Sequence, residues 1–526
     1  MEKRFSKQTR KFHQAKWDEE IIFELNNPGE RGVVVPAIED GIADVVGDGL
    51  LSLPQSLRRK QAPALPEVGQ MRVLKHFLRL SQQTLGADLN VDIGQGTCTI
   101  KYNPKINKQL AALPQVTELH PWQDESTIQG ALEITHSLDT YLRAISGLDY
   151  FSFQPPSGSA AIFTMASIVE KYHRVRGEQD QRDEIITTIF SHPSDYSAVA
   201  VKGYKVINLH QNEDGLPELE ALKAAVSERT AALFITNPED TGIFNPRIKE
   251  FTKVVHEAGG LCCYDQANAN GILGITRAKE ADFDMCFFNL HKTFSTPHGC
   301  GGPGTGAIGV TTELRDYLPV PLVTRSDDGY HLDYDLTHTI GKVRSFYGIF
   351  PVILKAYSWV RAMGARGLLE AARVAVLNNN YLLTRIRQIP GASAPYAEGR
   401  HRIEQVRYSW EKLTDETGVG TEDVSARMAD FGFHLWASHH PFVVPEPFTI
   451  EPTESYSKLE LDEYLAGLEQ ISNEAYTNPE TVTTAPHNSV IHQVDHSTLD
   501  DPDKWAITWR AFLKKRPGEQ LDKQEK

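Results

Sequence analysis

Lys292 stands in Asn289–Val310, NLHKTFSTPHGCGGPGTGAIGV, after the apolar run Met285-Cys-Phe-Phe and before a stretch, 299–310, with six glycines in twelve residues. This pattern puts an amine at the mouth of a strand beside a tightly turning backbone. Such an amine can attack an aldehyde to form a Schiff base, provided apolar enclosure or a nearby cation disfavours its ammonium form. Taken alone, the same residue reads as a surface lysine ahead of a Gly-rich loop; its neighbours decide against that. Upstream, Leu261-Cys-Cys-Tyr-Asp265-Gln-Ala-Asn-Ala-Asn270 is a short apolar run ending in an acid and then small polar residues. That is the pattern of a buried parallel strand delivering a carboxylate at its C-terminal end. Asp265 and Lys292 would then share one sheet edge. Pyridoxal phosphate uses such a pair: the lysine holds the aldehyde, and the carboxylate keeps the pyridine nitrogen protonated so that the ring accepts electrons.

The surrounding motifs, in chain order, are IIFELNNPGERG (21–32), CTIKYNPKIN (98–107), LHPWQ (119–123), QGALE (129–133), TNPEDTGIF (236–244), YDQANANGILG (264–274), NLHKTFSTPHG, YLPVPLV, GKVRSFYG and IEPTE. From about Trp17 to about Trp505 the chain resembles the P-protein family of the glycine cleavage system, in the second-subunit form of its two-subunit bacterial type. The resemblance implies an α/β fold of pyridoxal-phosphate fold type I, related to aspartate aminotransferase. It also implies decarboxylation of glycine, with the aminomethyl group passed to the lipoyl group of an H-protein. A companion first subunit in a heterotetramer, or a homodimer, would follow.

The same resemblance suggests roles for further residues. His192 falls on the histidine that stacks over the cofactor ring. The amide of Asn237 can donate to the cofactor's phenolic oxygen. Thr97, Lys101 and Tyr102 lie in the family's loop near the substrate, where they could meet a carboxylate or the cofactor phosphate; a plain Gly-turn with exposed polar groups is the other reading of that loop. Arg344, by charge and fork geometry, suits the substrate carboxylate or an ion pair within the protein. Proton traffic would fall to Lys292 or His298, and the residues do not choose between them. Independently of the family, Gln154-Pro-Pro-Ser-Gly-Ser-Ala-Ala161 is a Gly- and Ser-containing turn opening a helix, where backbone N–H groups and the positive end of the helix dipole meet. Ser157, Gly158 and Ser159 are therefore the expected phosphate cradle.

Two stretches depart from the family pattern. Ala160, Ala161 and Ile162 replace its histidine and acid, and Pro193, Asp195 and Tyr196 replace a glycine, an asparagine and a proline. These changes motivate an alternative, a stand-alone pyridoxal-phosphate decarboxylase, lyase or transferase acting on another small amino acid. A non-catalytic scaffold is a third reading, opposed by the joint presence of Lys292, Asp265 and His192.

The elements that must position these groups follow from periodicity. Helical spacing runs over 68–86, 128–146, 162–174, 247–258, 351–363, 367–387, 421–431 and 457–474. Strands are expected at 149–153, 184–190, 231–235, 261–264, 285–288 and 403–408. A Pro-rich segment occupies 441–452. The alternation of strands and helices predicts a mostly parallel sheet with right-handed crossovers. The 526 residues divide into a flexible basic extension (1–16, six Lys or Arg), an arm with first helices (17–89), a large cofactor domain (90–350) and a smaller C-terminal α/β domain (351–526). A formal net charge of −15 argues against a nucleic-acid or anionic-membrane partner. Five cysteines without a CxxC pair suggest neither a metal site nor a disulfide framework, so a reducing, cytoplasmic setting is expected. No apolar stretch approaches the about 20 residues needed to span a membrane.

Overall fold

The computed structural model describes residues 9–47, 52–61, 63, 65–86, 89–99, 101–299, 301–436, 443–490, 493 and 501–515. Seven strands form its main sheet: β1 (Tyr150–Ser152), β2 (Glu184–Thr188), β3 (Lys205–Leu209), β4 (Thr230–Thr236), β5 (Leu261–Asp265), β6 (Met285–Asn289) and β7 (Gly306–Val310). Their order is β1-β7-β6-β5-β4-β2-β3. β7 is antiparallel to both neighbours, while β6, β5, β4, β2 and β3 run parallel.

Strands β4 to β7 are buried along their whole length, as a sheet covered on both faces requires. Alternation assigns the faces. Leu233, Ile235, Cys262, Tyr264, Cys286 and Phe288 join one core cluster with Leu138 and Leu142 of the helix Gln129–Ser146 and with Val255, Ile353 and Trp359. Ala232, Phe234, Leu261, Cys263, Met285 and Phe287 join the other, with Ile162, Met165 and Val169 of the helix Gly158–Val175. Each fully buried Phe or Leu contributes roughly 1.5–3 kcal/mol. β7 was hidden in the glycine-rich stretch, and the reason is steric: a Cβ on Gly309 would lie 2.4 Å from Phe151.

The helical stretch Phe350–Ile386 breaks at Gly364 (φ 62, ψ 176), in the gap left between the two expected helices. Its first part packs on the sheet, whereas Leu382, Leu383 and Ile386 belong to a second core. That second core gathers the antiparallel pair β10 (Val406–Ser409) and β11 (Pro447–Ile450) with the helices Thr421–Ala429 and Lys458–Thr477. Ser457 and Glu460 start the last of these with a reciprocal capping box, Glu460 accepting from Ser457 N at 2.7 Å. The hairpin β8 (Leu322–Ser326) and β9 (Gly329–Asp333) was not expected.

The chain separates into two units, residues 1–11 with 87–485 and residues 12–86 with 486–526. Everything above lies in the first. Within it, Arg10 donates to Asn90 and Glu463 and lies over the Phe433 ring, so the basic extension expected to be flexible is anchored at this point. The second unit carries the helix Gln70–Gln82, in which His76 and Arg79 hold the Glu19 carboxylate, and a stack of Phe23 on Trp509 with centroids 5.2 Å apart. No helix among the described residues is long and apolar enough to cross a membrane.

Candidate active site

Parallel strands bring their C-terminal ends to one edge, and the residues that follow β2, β4, β5 and β6 meet there. Register aligns Thr236 of β4 with Asp265 of β5, and Asp265 with Phe287 of β6. A pocket opens beyond them, lined by His192, Thr236, Pro238, Asp240, Asp265, Ala267, Asn268, Lys292, Glu404 and Gln405. Lys292, Asp265 and His192, picked out far apart in the sequence, thus share one cavity. It sits where open α/β sheets bind ligands.

Each is held by local structure. Lys292 is 8% exposed and closes a tight turn through its N–H to Asn289 O at 3.0 Å. The Thr293 hydroxyl accepts from Ala269 N at 2.9 Å, tying the loop after β6 to the loop after β5. Ser295, three residues beyond the lysine, is held at φ 58, a left-handed conformation that a non-glycine residue adopts at a cost. Asp265 accepts from Ala267 N at 2.8 Å. Burial pushes its carboxyl up to about 6, against the pull of that N–H and of the Lys292 charge. His192 caps the helix Pro193–Val201, its Nδ1 accepting from Ser194 N at 3.1 Å, so a neutral ring carries its proton on Nε2.

The expected phosphate cradle is a helix N-terminus with Ser157 and Ser159 exposed. Ser157 Oγ accepts from Ala160 N at 3.2 Å. Gly158 is required by close approach, since a Cβ there would sit 2.7 Å from Asn289 Nδ2 at the end of β6. The cradle does not line the cavity itself, and the buried Oδ1 of Asn289 beside Gly158 has no hydrogen-bond partner. Of the altered residues 160–162, Ala161 and Ile162 are core positions. Ala161 packs where a Cβ on Gly306 would come within 2.7 Å, so the site there is small by packing.

Other assignments change. Asn237 points away from the cavity: its oxygen accepts from Asn245 N at 2.8 Å and its amide donates to Asn245 O at 3.3 Å. Lys101 is 3% exposed, and its ammonium serves Asn270 Oδ1 at 3.2 Å, Thr293 O at 3.0 Å and Glu454 at 2.9 Å. With three N–H donors so engaged, it braces the loop beside Lys292. Tyr102 is 63% exposed and uses its backbone, accepting from Ser295 Oγ and donating to Ser455 Oγ. The side chain of Thr97 lies outside the described residues. Arg344 is half-buried, does not line the cavity, and its Nε has no hydrogen-bond partner. His298 meets His291 edge-on at 4.6 Å between ring centroids. Burial, Lys292 and His298 together drive His291 down to about 3, which keeps it neutral.

Sequence reasoning missed the wall supplied by the second core. Glu451 Oε1 accepts from Asn268 Nδ2 at 2.8 Å and Asn270 Nδ2 at 2.7 Å. Burial raises its carboxyl to about 7, opposed by those amides and by Lys292 and Lys101. Glu404 is pushed well above the carboxylate range by burial and by Glu451. Arg407, buried, stands 3.6 Å from Asp240. Glu451 lay in the quoted motif IEPTE, with nothing to say that its side chain faces inward, and Glu404 and Arg407 lay in none of the quoted motifs.

The family-level comparisons now decide what this arrangement belongs to. Residues 371–496 match the family described as glycine dehydrogenase, C-terminal domain, and residues 157–322 match aminotransferase class-V. A Pyrococcus abyssi protein named "Probable glycine dehydrogenase (decarboxylating) subunit 2" is 46% identical over 97% of this chain and 100% of its own length. The chain belongs to the glycine dehydrogenase (decarboxylating) subunit 2 family. A Thermococcus kodakarensis protein of the same name shows 46% identity, also over 97% of this chain and 100% of its own. In fold, the chain is similar to a crystal structure of glycine decarboxylase (P-protein) of the glycine cleavage system in inhibitor-bound form. The TM-score is 0.69 at 20% identity, covering 83% of this chain and 99% of the other. The fold-type I expectation is met. Pyridoxal phosphate is the cofactor of this enzyme family, and the residues fit it: a buried amine, a carboxylate and an imidazole line one cavity.

Proposed function

We propose that the chain is the pyridoxal-phosphate-bearing subunit that decarboxylates glycine and hands the aminomethyl group to a lipoylated carrier protein. The observation carrying this reading is the meeting of Lys292, Asp265 and His192 at one cavity in a chain 46% identical to its relative over 97% of its length. When bound, the cofactor supplies an electron-accepting ring. The protein's part is to position and to exclude. With the cofactor bound, Lys292 would hold its aldehyde carbon, Asp265 would serve its ring nitrogen and His192 its ring, and Ser157, Gly158 and Ser159 would offer the helix N-terminus to its phosphate.

Loss of carbon dioxide from glycine leaves an electron pair on the methylene carbon. That carbon bonds one lipoyl sulfur as the S–S bond breaks, and the other sulfur leaves as a thiol after taking a proton. His298 and Lys292 are the groups proposed to carry protons. Arg344 remains the proposed contact for the substrate carboxylate. The relatives are named for glycine and decarboxylation, which favours glycine over another amino acid. The names of the relatives speak of a subunit 2, which supports a companion first subunit, in a heterotetramer.

The test is exchange of labelled bicarbonate into the carboxyl group of glycine, with the companion subunit and lipoylated carrier supplied. Label is expected in glycine; its absence, with glycine leaving the visible spectrum unchanged, would overturn the reading.

A further inference from the structure

Toward the other end of β5 from Asp265, three side chains of metal-ligand type meet. Cys262 is the second residue of that strand, Asp284 stands just before β6, and His256 lies in the last turn of the helix Ile248–Glu257. A ring nitrogen of His256, the Sγ of Cys262 and a carboxylate oxygen of Asp284 all lie within 4.8 Å of one another. No spacing along the chain announces this set, because strand pairing makes it. Cys263 is in register with Met285, and Asp284 N donates to Cys262 O at 3.0 Å. The Asp284 carboxylate in turn accepts from Cys262 N at 2.6 Å and stands 2.8 Å from His256 Nε2, so it is already turned toward both partners. Cys262 is fully buried, whereas the side chains of His256 and Asp284 are 35% and 21% exposed, which leaves one side of the set open to solvent.

We propose that His256, Cys262 and Asp284 form a binding site for a divalent cation of the zinc type, with water in a fourth position, clasping the end of the helix to the sheet. The donor set selects the ion: zinc takes imidazole nitrogen and thiolate sulfur in tetrahedral sites, whereas calcium and magnesium call for oxygen. Zinc bonds of about 2.0–2.3 Å place neighbouring ligand atoms roughly 3.3–3.8 Å apart, so a set already within 4.8 Å closes by small side-chain rotations. Charge balances as well, since one thiolate and one carboxylate neutralise a divalent cation while the imidazole binds uncharged. In the empty site the Cys262 thiol keeps its proton, raised well above its ordinary range by burial and then by Asp284. Binding forms the metal–sulfur bond as the S–H bond breaks, and the proton goes to solvent. The site is separate from the pocket of Lys292 and does not rest on the function proposed above.

Cobalt(II) is the probe, because a cobalt–thiolate bond gives a near-ultraviolet charge-transfer band that imidazole and carboxylate ligands do not. Full-length protein, stripped with a chelator and kept reduced, should develop this band up to one equivalent of cobalt and lose it when zinc is added. Cys262→Ser should not develop it. Zinc affinity, read by competition with a chromophoric chelator, should fall by more than about 10-fold in His256→Ala and in Asp284→Asn. Zinc should also raise the unfolding midpoint of wild type and leave that of His256→Ala in place. A band that persists in Cys262→Ser would put the ion on another thiol, such as the exposed Cys98, and would overturn the proposal. Absence of the band in wild type, or equal zinc affinity in wild type and His256→Ala, would do the same. If Cys262→Ser fails to fold, His256→Ala, changed at a partly exposed side chain, still decides.

Discussion

The two sides of the site hold buried carboxyls with different partners. On the sheet side, Asp265 ends a strand, where a loop N–H and a lysine ammonium oppose the rise that burial imposes. On the side built by the second core, Glu404 and Glu451 arrive at full burial. Glu451 meets two side-chain amides and Glu404 is raised further by its neighbour, so both are held above the usual carboxylate range. The contrast separates chemistry from enclosure: charge that must act sits at the sheet edge, and acids near neutrality close the space around it.

The largest effect should come from breaking the sheet side. Lys292→Ala removes the amine of the cavity and should abolish both the visible band of bound pyridoxal phosphate and glycine–bicarbonate exchange, with the unfolding midpoint little changed. A retained band would move the covalent role elsewhere. Asp265→Asn should keep the cofactor bound and lower exchange by ~10²–10³-fold or more, because a neutral pyridine is a poor electron sink. Near-normal exchange would show that another group holds the ring nitrogen.

Attack on the bracing should reverse the pattern, moving stability first. Lys101 ties the loop 89–103 to Asn270, Thr293 O and Glu454. Lys101→Met strands a carboxylate that is itself only 18% exposed, with an expected loss of about 3–5 kcal/mol in chemical denaturation. The double variant with Glu454→Gln should recover part of it. No recovery would place the cost in the packing on Trp359, whose ring lies 4.6 Å from the ammonium.

This division also explains what could be read from the chain. Lys292, Asp265 and His192 were legible because each ends an apolar run of strand length, and parallel strands put such ends at one edge. The sheet was legible for the same reason at β4, β5 and β6. β7 was not, since its glycines answer to Phe151 and Ser157 across the fold, and β11 lay within a Pro-rich stretch. The partners that Lys101 and Asn237 take within the protein, Glu454 and Asn245, could not be read from the chain, because they are set by packing rather than by spacing. Glu404 had no local signature: its close packing depends on Gly271, where a Cβ would lie 2.4 Å from Ile403 and 2.8 Å from Glu404 Oε2.

The smallest predicted effect probes the second wall directly. Glu451 is fully buried, and its carboxyl is raised from the ordinary 4.5 to about 7. A carboxyl raised in the folded state binds its proton more tightly folded than unfolded, so it adds stability that is complete below about pH 4.5 and is lost as pH rises through about 7. Glu451→Gln keeps an oxygen to accept from Asn268 and Asn270 and cannot ionise. Its unfolding free energy should therefore fall less than that of wild type between pH 5 and pH 8, the difference reaching about 2–3 kcal/mol, with near equality at the acid end. Thermal melts across that range measure it. Parallel curves would mean that Glu451 is already an anion balanced by Lys292 and Lys101, and the difference between the two walls would then reduce to Glu404 alone.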